Sequence, residues 1–180
     1  MSKENSALLV ELLLDGVRIE GYCSQVELRR RLSEVLNTPG DVIELDDAVA
    51  KMTTGEPLKT PSITVEKKAI IAAIPWETTA QDRQRALATS MTGRAKTIQL
   101  PVVVISPPLV IAGTAHLPGG FGTSVLRADP NLFAHFFSMT GARITLEDGA
   151  FLDAPVVLVN RDAVSAMAQT AEPTKLRLVA

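Results

Sequence analysis

The 180-residue chain has very few of the residues that build metal centres and redox sites, with one cysteine and two histidines. A single cysteine, Cys23, cannot form an intrachain disulfide, and His116 and His135 are too few to complete an ordinary zinc site with it. We therefore expect no metal, no cofactor and no catalytic residues, which means a protein that is not an enzyme. The cysteine content fits a reducing cytoplasm.

Aromatic residues are also scarce, at 4% of the chain, so the stacking platform of single-strand nucleic-acid binders is missing. Eighteen Lys and Arg against twenty Asp and Glu give a formal net charge of -2, and such a balance exerts no bulk attraction on nucleic acid. The longest apolar runs, Val102–Ile105 and Leu109–Ala112, are far shorter than the roughly 20 residues of a membrane-spanning helix. The first residues carry no secretory signal. We expect a cytoplasmic globular protein without a membrane span, and no nucleic-acid partner.

Three short blocks of the first half recur in the same order in the second half, which predicts an internal duplication. The predicted division is a first repeat at 7–75, a helical connector at 76–96, a second repeat at 97–169 and a C-terminal tail at 170–180. The matched blocks are Val17–Gly21 with Leu109–Gly113, Val42–Asp47 with Arg143–Asp148, and Ile63–Ile70 with Val157–Val164.

Most of each repeat reads as extended strand, so the predicted fold class is mainly β with inserted helices. Asp15-Gly16 between two apolar runs is a strong hairpin signal, and Pro107-Pro108 ends a ladder at the matching place in the second repeat. Asp46-Asp47 is read as the end of a strand. The predicted strands are Leu8–Leu14, Val17–Gly21, Val42–Met52, Ile63–Val65, Ile70–Ile74, Leu100–Ile105, Leu109–Ala115, Arg143–Glu147, Val156–Val159 and Val164–Met167.

One helix is predicted in each repeat. Ser24 with Glu27 forms a capping-box pattern, and apolar residues follow at helical spacing through Leu36. In the second repeat Asp129-Pro130 precedes a phenylalanine-rich stretch ending at Phe137, with Gly141 as the stop signal.

The tight turns Glu66–Lys68 and Asn160–Asp162, each leading directly into a last strand, give the chain the strand order that resembles an Sm-like or Src-homology-type small barrel. The phrases Arg31-Leu-Ser-Glu-Val-Leu-Asn37 and His116-Leu-Pro-Gly-Gly120 are similar to the helix and turn motifs of a widespread family of uncharacterised bacterial proteins. The resemblance implies two tandem small-barrel repeats related by pseudo-twofold symmetry. It implies no RNA binding, because the arginine-glycine step of Sm proteins is absent before the last strand.

A glycine-rich stretch offers the one candidate ligand loop. Gly119, Gly120 and Gly122 could bring backbone N–H groups to an anion, with Arg127 or Arg143 adding charge and His116 beside them. The stretch lacks the lysine of a P-loop and the third glycine of a dinucleotide fingerprint. Arg30 and Arg31 belong to a basic run on the first helix, which i,i+4 pairing with Glu27 and Glu34 makes a solvated face or a surface for a partner. The larger set of candidate surface residues is Gly119, Gly120, Gly122, Arg127, Arg143, His116, Arg30 and Arg31.

The sequence therefore predicts an interaction or assembly module whose partner is another protein or a second copy of the chain. Exposed sheet edges and the apolar hairpin Leu100–Ile111 would supply the contact surface. The alternative is a module that binds a small anionic ligand or nucleotide at Gly119–Gly122.

Overall fold

A computed structural model describes residues 7–26, 31–76, 97–119, 123, 126 and 134–171. The chain divides into two compact units, Met1–Arg94 and Ala95–Ala180, called unit 1 and unit 2 below. The described residues form ten antiparallel strands and one short α-helix, so the fold is mainly β, as the sequence predicts. No helix among these residues is long and apolar enough to cross a membrane.

Unit 1 is a five-stranded antiparallel sheet with strand order β5-β1-β2-β3-β4. Helix α1 lies between β2 and β3, and a 3₁₀ turn at Lys67–Ala69 links β4 to β5. The bounds are β1 Leu8–Leu14, β2 Val17–Cys23, α1 Leu32–Asn37, β3 Val42–Met52, β4 Leu58–Glu66 and β5 Ala72–Trp76.

Unit 2 has the corresponding order, β10-β6-β7-β8-β9. A 3₁₀ turn at Arg161–Ala163 links β9 to β10, which confirms the tight turn predicted at Asn160–Asp162. The bounds are β6 Thr97–Ser106, β7 Leu109–Pro118, β8 Phe136–Thr145, β9 Phe151–Asn160 and β10 Ala166–Gln169.

The two predicted hairpins are confirmed. Asp15-Gly16 connects β1 to β2 with Gly16 at φ 66°, a conformation that glycine adopts without strain. Pro107-Pro108 connects β6 to β7 through a cis peptide bond. Strand β7 alternates inward apolar and outward side chains, because every second residue from Leu109 to Leu117 is buried. Strand β1 differs, because its four successive residues Val10–Leu13 are all buried.

The two sheets pair in the same register. Positions in the first hairpin correspond to positions 92 later in unit 2, so the pair Leu13↔Ala72 becomes Ile105↔Ala166. From Asp41 onward, the residue numbers of equivalent positions in the two units differ by 94. For example, the Lys67 N–H donates to the Asp41 carbonyl oxygen, and 94 positions later the Arg161 N–H donates to the His135 carbonyl oxygen. Below, residues related by these two differences are called counterparts.

A bulge occupies the same place in both units. In unit 1 the register shifts beside Gly21, opposite Asp47 at φ 47°, and in unit 2 it shifts beside Gly113, opposite Gly141 at φ 57°. A Cβ on Gly21 would lie 3.0 Å from the Asp46 carbonyl oxygen. The third strand approaches so closely at the bulge that the second strand needs glycine there.

Two expectations are wrong at this bulge and around it. The helix expected to reach Phe137 and stop at Gly141 is contradicted, because Phe136–Thr145 is strand β8 and Gly141 is its bulge. Residues 129–133, where that helix would begin, lie outside the described part of the chain. Asp46-Asp47 lies within β3 and does not end it.

The strand bounds correct the repeat alignment as well. The block Val42–Asp47 corresponds to 136–141 in strand β8 and not to Arg143–Asp148. The strands predicted at Ile63–Val65 and Val156–Val159 are parts of longer strands. The strand predicted at Arg143–Glu147 is confirmed only to Thr145, where β8 ends. The last strands begin at Ala72 and Ala166, two residues later than expected. Among the described residues no pairing joins β4 to β1 or β5, or β9 to β6 or β10, so the pairings leave each sheet open.

Candidate interaction surfaces

The outward face of the unit 2 sheet carries three rows of side chains that cross the strands, and we call it the outer face. Cross-strand partners define each row. Row 1 is Ala166, Ile105, Val110, Thr145 and Phe151, row 2 is Ala168, Val103, Ala112, Arg143 and Asp153, and row 3 is Pro101, Thr114, Thr140 and Val156.

Row 1 is apolar except for Thr145, and yet it is exposed. Ile105 retains 43% of its accessible surface and Phe151 retains 60%, while Val110 and Thr145 are partly exposed. An antiparallel sheet with one solvated face normally carries polar side chains there. The outer face departs from that pattern along a line that crosses all five strands of the unit.

The counterpart face of unit 1 follows the normal pattern. Leu13, Ala72 and Ile74 on this face are at most 1% exposed, whereas Tyr22, the counterpart of Thr114, is 41% exposed. Where row 1 of this face reaches solvent it carries charge at Arg18 and Lys51, the counterparts of Val110 and Thr145. In row 1 the positions that reach solvent are thus charged at Arg18 and Lys51 in unit 1, and apolar at Ile105, Val110 and Phe151 in unit 2.

The only charged residues in the three rows are Arg143 and Asp153, and they pair with each other. Arg143 Nε and Nη2 donate to the two carboxylate oxygens of Asp153 at 2.8 and 3.2 Å. This pairing lowers the pKa of Asp153 and raises the pKa of Arg143. The guanidinium carbon also lies 5.8 Å from the centroid of the Phe151 ring. Both charges are therefore satisfied within the face.

A second type of surface is the sheet edge. Strand β4 pairs with β3 on one side, strand β10 pairs with β6 on one side, and no described strand pairs with either on the other side. Leu58 on β4 is 55% exposed, and β10 exposes most of its residues. Pro61 in β4 lacks an N–H group, and an exposed proline is one of the features that restrain strand addition at an edge.

A buried carboxylate marks the outward side of unit 1. Glu11, 4% exposed, accepts hydrogen bonds from Arg18 Nε at 2.8 Å and from Trp76 Nε1 at 3.0 Å. Its counterpart Val103 and the counterpart of Arg18, Val110, are both apolar. The two units therefore share a backbone pattern and differ in the chemistry of this face.

The 3₁₀ turn of unit 1 holds the end of helix α1. Lys67 Nζ donates to the carbonyl oxygens of Val35 at 2.7 Å and Thr38 at 2.9 Å. Those carbonyls lie at the helix C-terminus, where no intrahelical N–H group remains for them. Burial lowers the pKa of Lys67, although the charge of Asp41 acts in the opposite direction. The turn is therefore part of the structural framework.

The predicted ligand residues do not form a single described site. Gly119 is an exposed turn residue after β7, and Arg143 is occupied by Asp153. Arg31 directly precedes α1, where its carbonyl oxygen accepts from Glu34 and Val35 N–H groups. Gly120, Gly122, Arg127 and Arg30 lie outside the described residues.

The cysteine and the two histidines are each accounted for locally. Cys23 is buried at the end of β2, and burial raises the pKa of its thiol. His116 Nε2 lies 2.9 Å from Thr140 Oγ1, and burial lowers the pKa of its imidazole. His135 Nδ1 lies 3.0 Å from Asp162 Oδ2 at the surface. In the described part of the chain no three His, Cys, Asp or Glu residues group as metal ligands would.

Comparison of the chain with models of protein families, with curated proteins and with solved structures gives no match. The resemblance to a bacterial small-barrel family therefore stays a prediction.

Proposed function

We propose that the protein is a non-enzymatic cytoplasmic interaction or assembly module, built from two copies of one small-barrel-type unit. The common strand order and the equal pairing register of the two units support the duplication. The bulge with glycine opposite it, at Gly21 and at Gly113, adds to that support because such irregularities are retained within families.

The observation that carries the assembly role is the exposed apolar row of unit 2. Contiguous exposed apolar patches on a soluble chain mark binding surfaces. Unit 1 provides an internal reference, because the same rows there carry Arg18 and Lys51 where they meet solvent. The row includes Ile105 and Val110 of the predicted hairpin surface Leu100–Ile111. The unpaired edges of β4 and β10 offer further surface for strand addition.

Site-specific photo-crosslinking in the cells that naturally contain the protein tests this role. A benzophenone amino acid replaces Phe151 or Ile105 in the full chain, with Lys51 on β3 and Pro57, directly before β4, as matched controls. We expect protein adducts from the two unit 2 positions and few from the controls. Equal or absent adducts at all four positions would refute the assembly role.

Binding of a small anion or nucleotide at Gly119–Gly122 is the second candidate, and no contact of the described residues favours it over the first. Arg143, one of its two candidate cations, already has a carboxylate partner. A ligand present at 100 times its dissociation constant stabilises a protein by about 2.7 kcal/mol, which is a rise in melting temperature of about 5–10 °C for a chain of this length. A panel of nucleotides that leaves the melting temperature unchanged excludes it.

A further inference from the structure

We propose that the outer face of unit 2 binds the same face of a second copy of this chain, forming a two-fold symmetric dimer. The inference rests on the proposed assembly role and goes further by naming the partner and the contact geometry.

The distribution of charge favours a second copy. Arg143 and Asp153 neutralise each other through two hydrogen bonds, so two outer faces can approach without placing an unpaired charge in the interface. A two-fold interface uses one patch on both sides and must therefore be complementary to itself. A face that is apolar along row 1 and internally neutral in row 2 meets that requirement.

The order of side-chain sizes along row 1 favours one arrangement. A two-fold axis in the interface, parallel to β7, reverses the strand order and lays row 1 of one copy antiparallel on row 1 of the other. Phe151 at one end then faces Ala166 at the other end, Ile105 faces Thr145, and Val110 faces Val110. The largest side chain meets the smallest, which suits two sheets packed about 10 Å apart.

The area of the face sets the expected affinity. Five strands and three rows cover about 24 Å by 20 Å, from strand spacing and residue rise. Two such faces bury about 1,000 Å² in total, which is the lower limit for a specific interface. We therefore expect a reversible dimer that dissociates on dilution and does not require the partner to fold.

The test measures the mass of the purified full chain by light scattering and sedimentation across a dilution series. We expect a concentration-dependent dimer that is lost in Ile105→Glu and Phe151→Glu, because each carboxylate would be buried without a partner. Pro57→Glu, at the exposed counterpart of Phe151, should dimerise like the unchanged chain. Circular dichroism and melting temperature confirm that each variant is folded.

A cysteine at the symmetry axis tests the arrangement itself. In a Cys23→Ala background, Val110→Cys should be joined to its own copy by a short thiol-specific bifunctional reagent, because the axis places the residue against its own copy and sheets about 10 Å apart put the two Cα atoms beyond the reach of a direct disulfide. Lys51→Cys, on the same row of unit 1, should remain monomeric.

The possible results separate this inference from the proposed function. A monomer at every concentration, or a dimer unaffected by Phe151→Glu, overturns the inference. If the photo-crosslinks at Phe151 then join the chain to a different protein, the assembly role stands with another partner. If they join it to nothing, both proposals fail.

Discussion

Replacing Glu11 by valine tests the buried carboxylate of unit 1. The side chain of Glu11 is 5% exposed and that of Arg18 is 38% exposed. Removing one partner of a fully buried ion pair costs about 3–5 kcal/mol, but the exposed part of Arg18 can hydrate, so that figure must be reduced. The Trp76 indole N–H also loses its acceptor, which costs about 1–3 kcal/mol. We expect Glu11→Val to lower the free energy of unfolding by about 2–3 kcal/mol.

A second substitution, Arg18→Val, is expected to restore part of the free energy of unfolding that Glu11→Val removes. Adding Arg18→Val removes the unpaired cation and reproduces Val103 and Val110 of unit 2. Because apolar replacement of a buried ion pair is often neutral, the double variant should recover the part of the loss that comes from unpaired Arg18. It should remain about 1–3 kcal/mol less stable than the unchanged chain, since the Trp76 indole N–H still lacks its acceptor.

Urea unfolding followed by Trp76 fluorescence reports on unit 1, because Trp76 is the single tryptophan. The exposed pair Glu20–Lys51, at 3.6 Å, is the matched control, and its double-mutant cycle should give nearly no coupling. Additive effects of Glu11→Val and Arg18→Val would refute the reasoning, since they would mean that the two side chains do not depend on each other.

Three further predictions follow from the packing and the pKa shifts. Gly21→Ala should destabilise the fold by about 1–3 kcal/mol, measured by thermal unfolding, because its Cβ would lie 3.0 Å from a backbone oxygen; an unchanged melting temperature would contradict the close approach at the bulge. Lys67→Met should speed amide hydrogen exchange at the end of α1 and cost about 1–2 kcal/mol by loss of two hydrogen bonds, whereas Lys68→Met, on an exposed side chain, should not. Burial lowers the pKa of His116 in the folded state, so the unfolded chain binds protons more readily at this residue. The contribution of His116 to the free energy of unfolding should therefore be fully present above the ordinary pKa of 6.5 and should decrease as the pH falls below it. His116→Gln should flatten that dependence, and an equally steep dependence in the variant would contradict the assignment.

Local turn chemistry made the hairpins predictable. Asp15-Gly16 and Pro107-Pro108 each specify a reversal, and the predicted bounds Val42–Met52 of the third strand are those of β3. The 3₁₀ turns could also be placed, because Lys67 and Arg161 stand in nearly identical surroundings in the two halves of the sequence.

Strand β8 could not be predicted from its sequence. Gly141 after a phenylalanine-rich stretch has the pattern of a helix stop, but its positive φ serves a bulge opposite Gly113, a contact between distant parts of the chain. In unit 1 the equivalent bulge position is Asp47, which also has a positive φ. Because aspartate and glycine differ, a comparison of the two halves of the sequence does not align Asp47 with Gly141. The aligned block at Arg143–Asp148 was displaced for the same reason.

Only part of the outer face can be predicted from the sequence. The sequence indicates the apolar hairpin, but the continuation of row 1 through Thr145 to Phe151 depends on strand register. The pairing of Arg143 with Asp153 also depends on register, and it removes the candidate ligand cation that the sequence indicated.

The pairing differences of 92 and 94 place the whole difference in length between the two units at 24–40 in unit 1 and at the counterpart stretch 116–134 in unit 2. In unit 1 this stretch follows the second strand, whereas in unit 2 it begins with the last residues of β7. Connections whose length differs between the two units while the flanking ladders keep the same register should tolerate insertion. An epitope tag or a fluorescent reporter spliced near Gly40, whose neighbourhood is open, should leave every strand in place and provide a handle for labelling the chain within living cells.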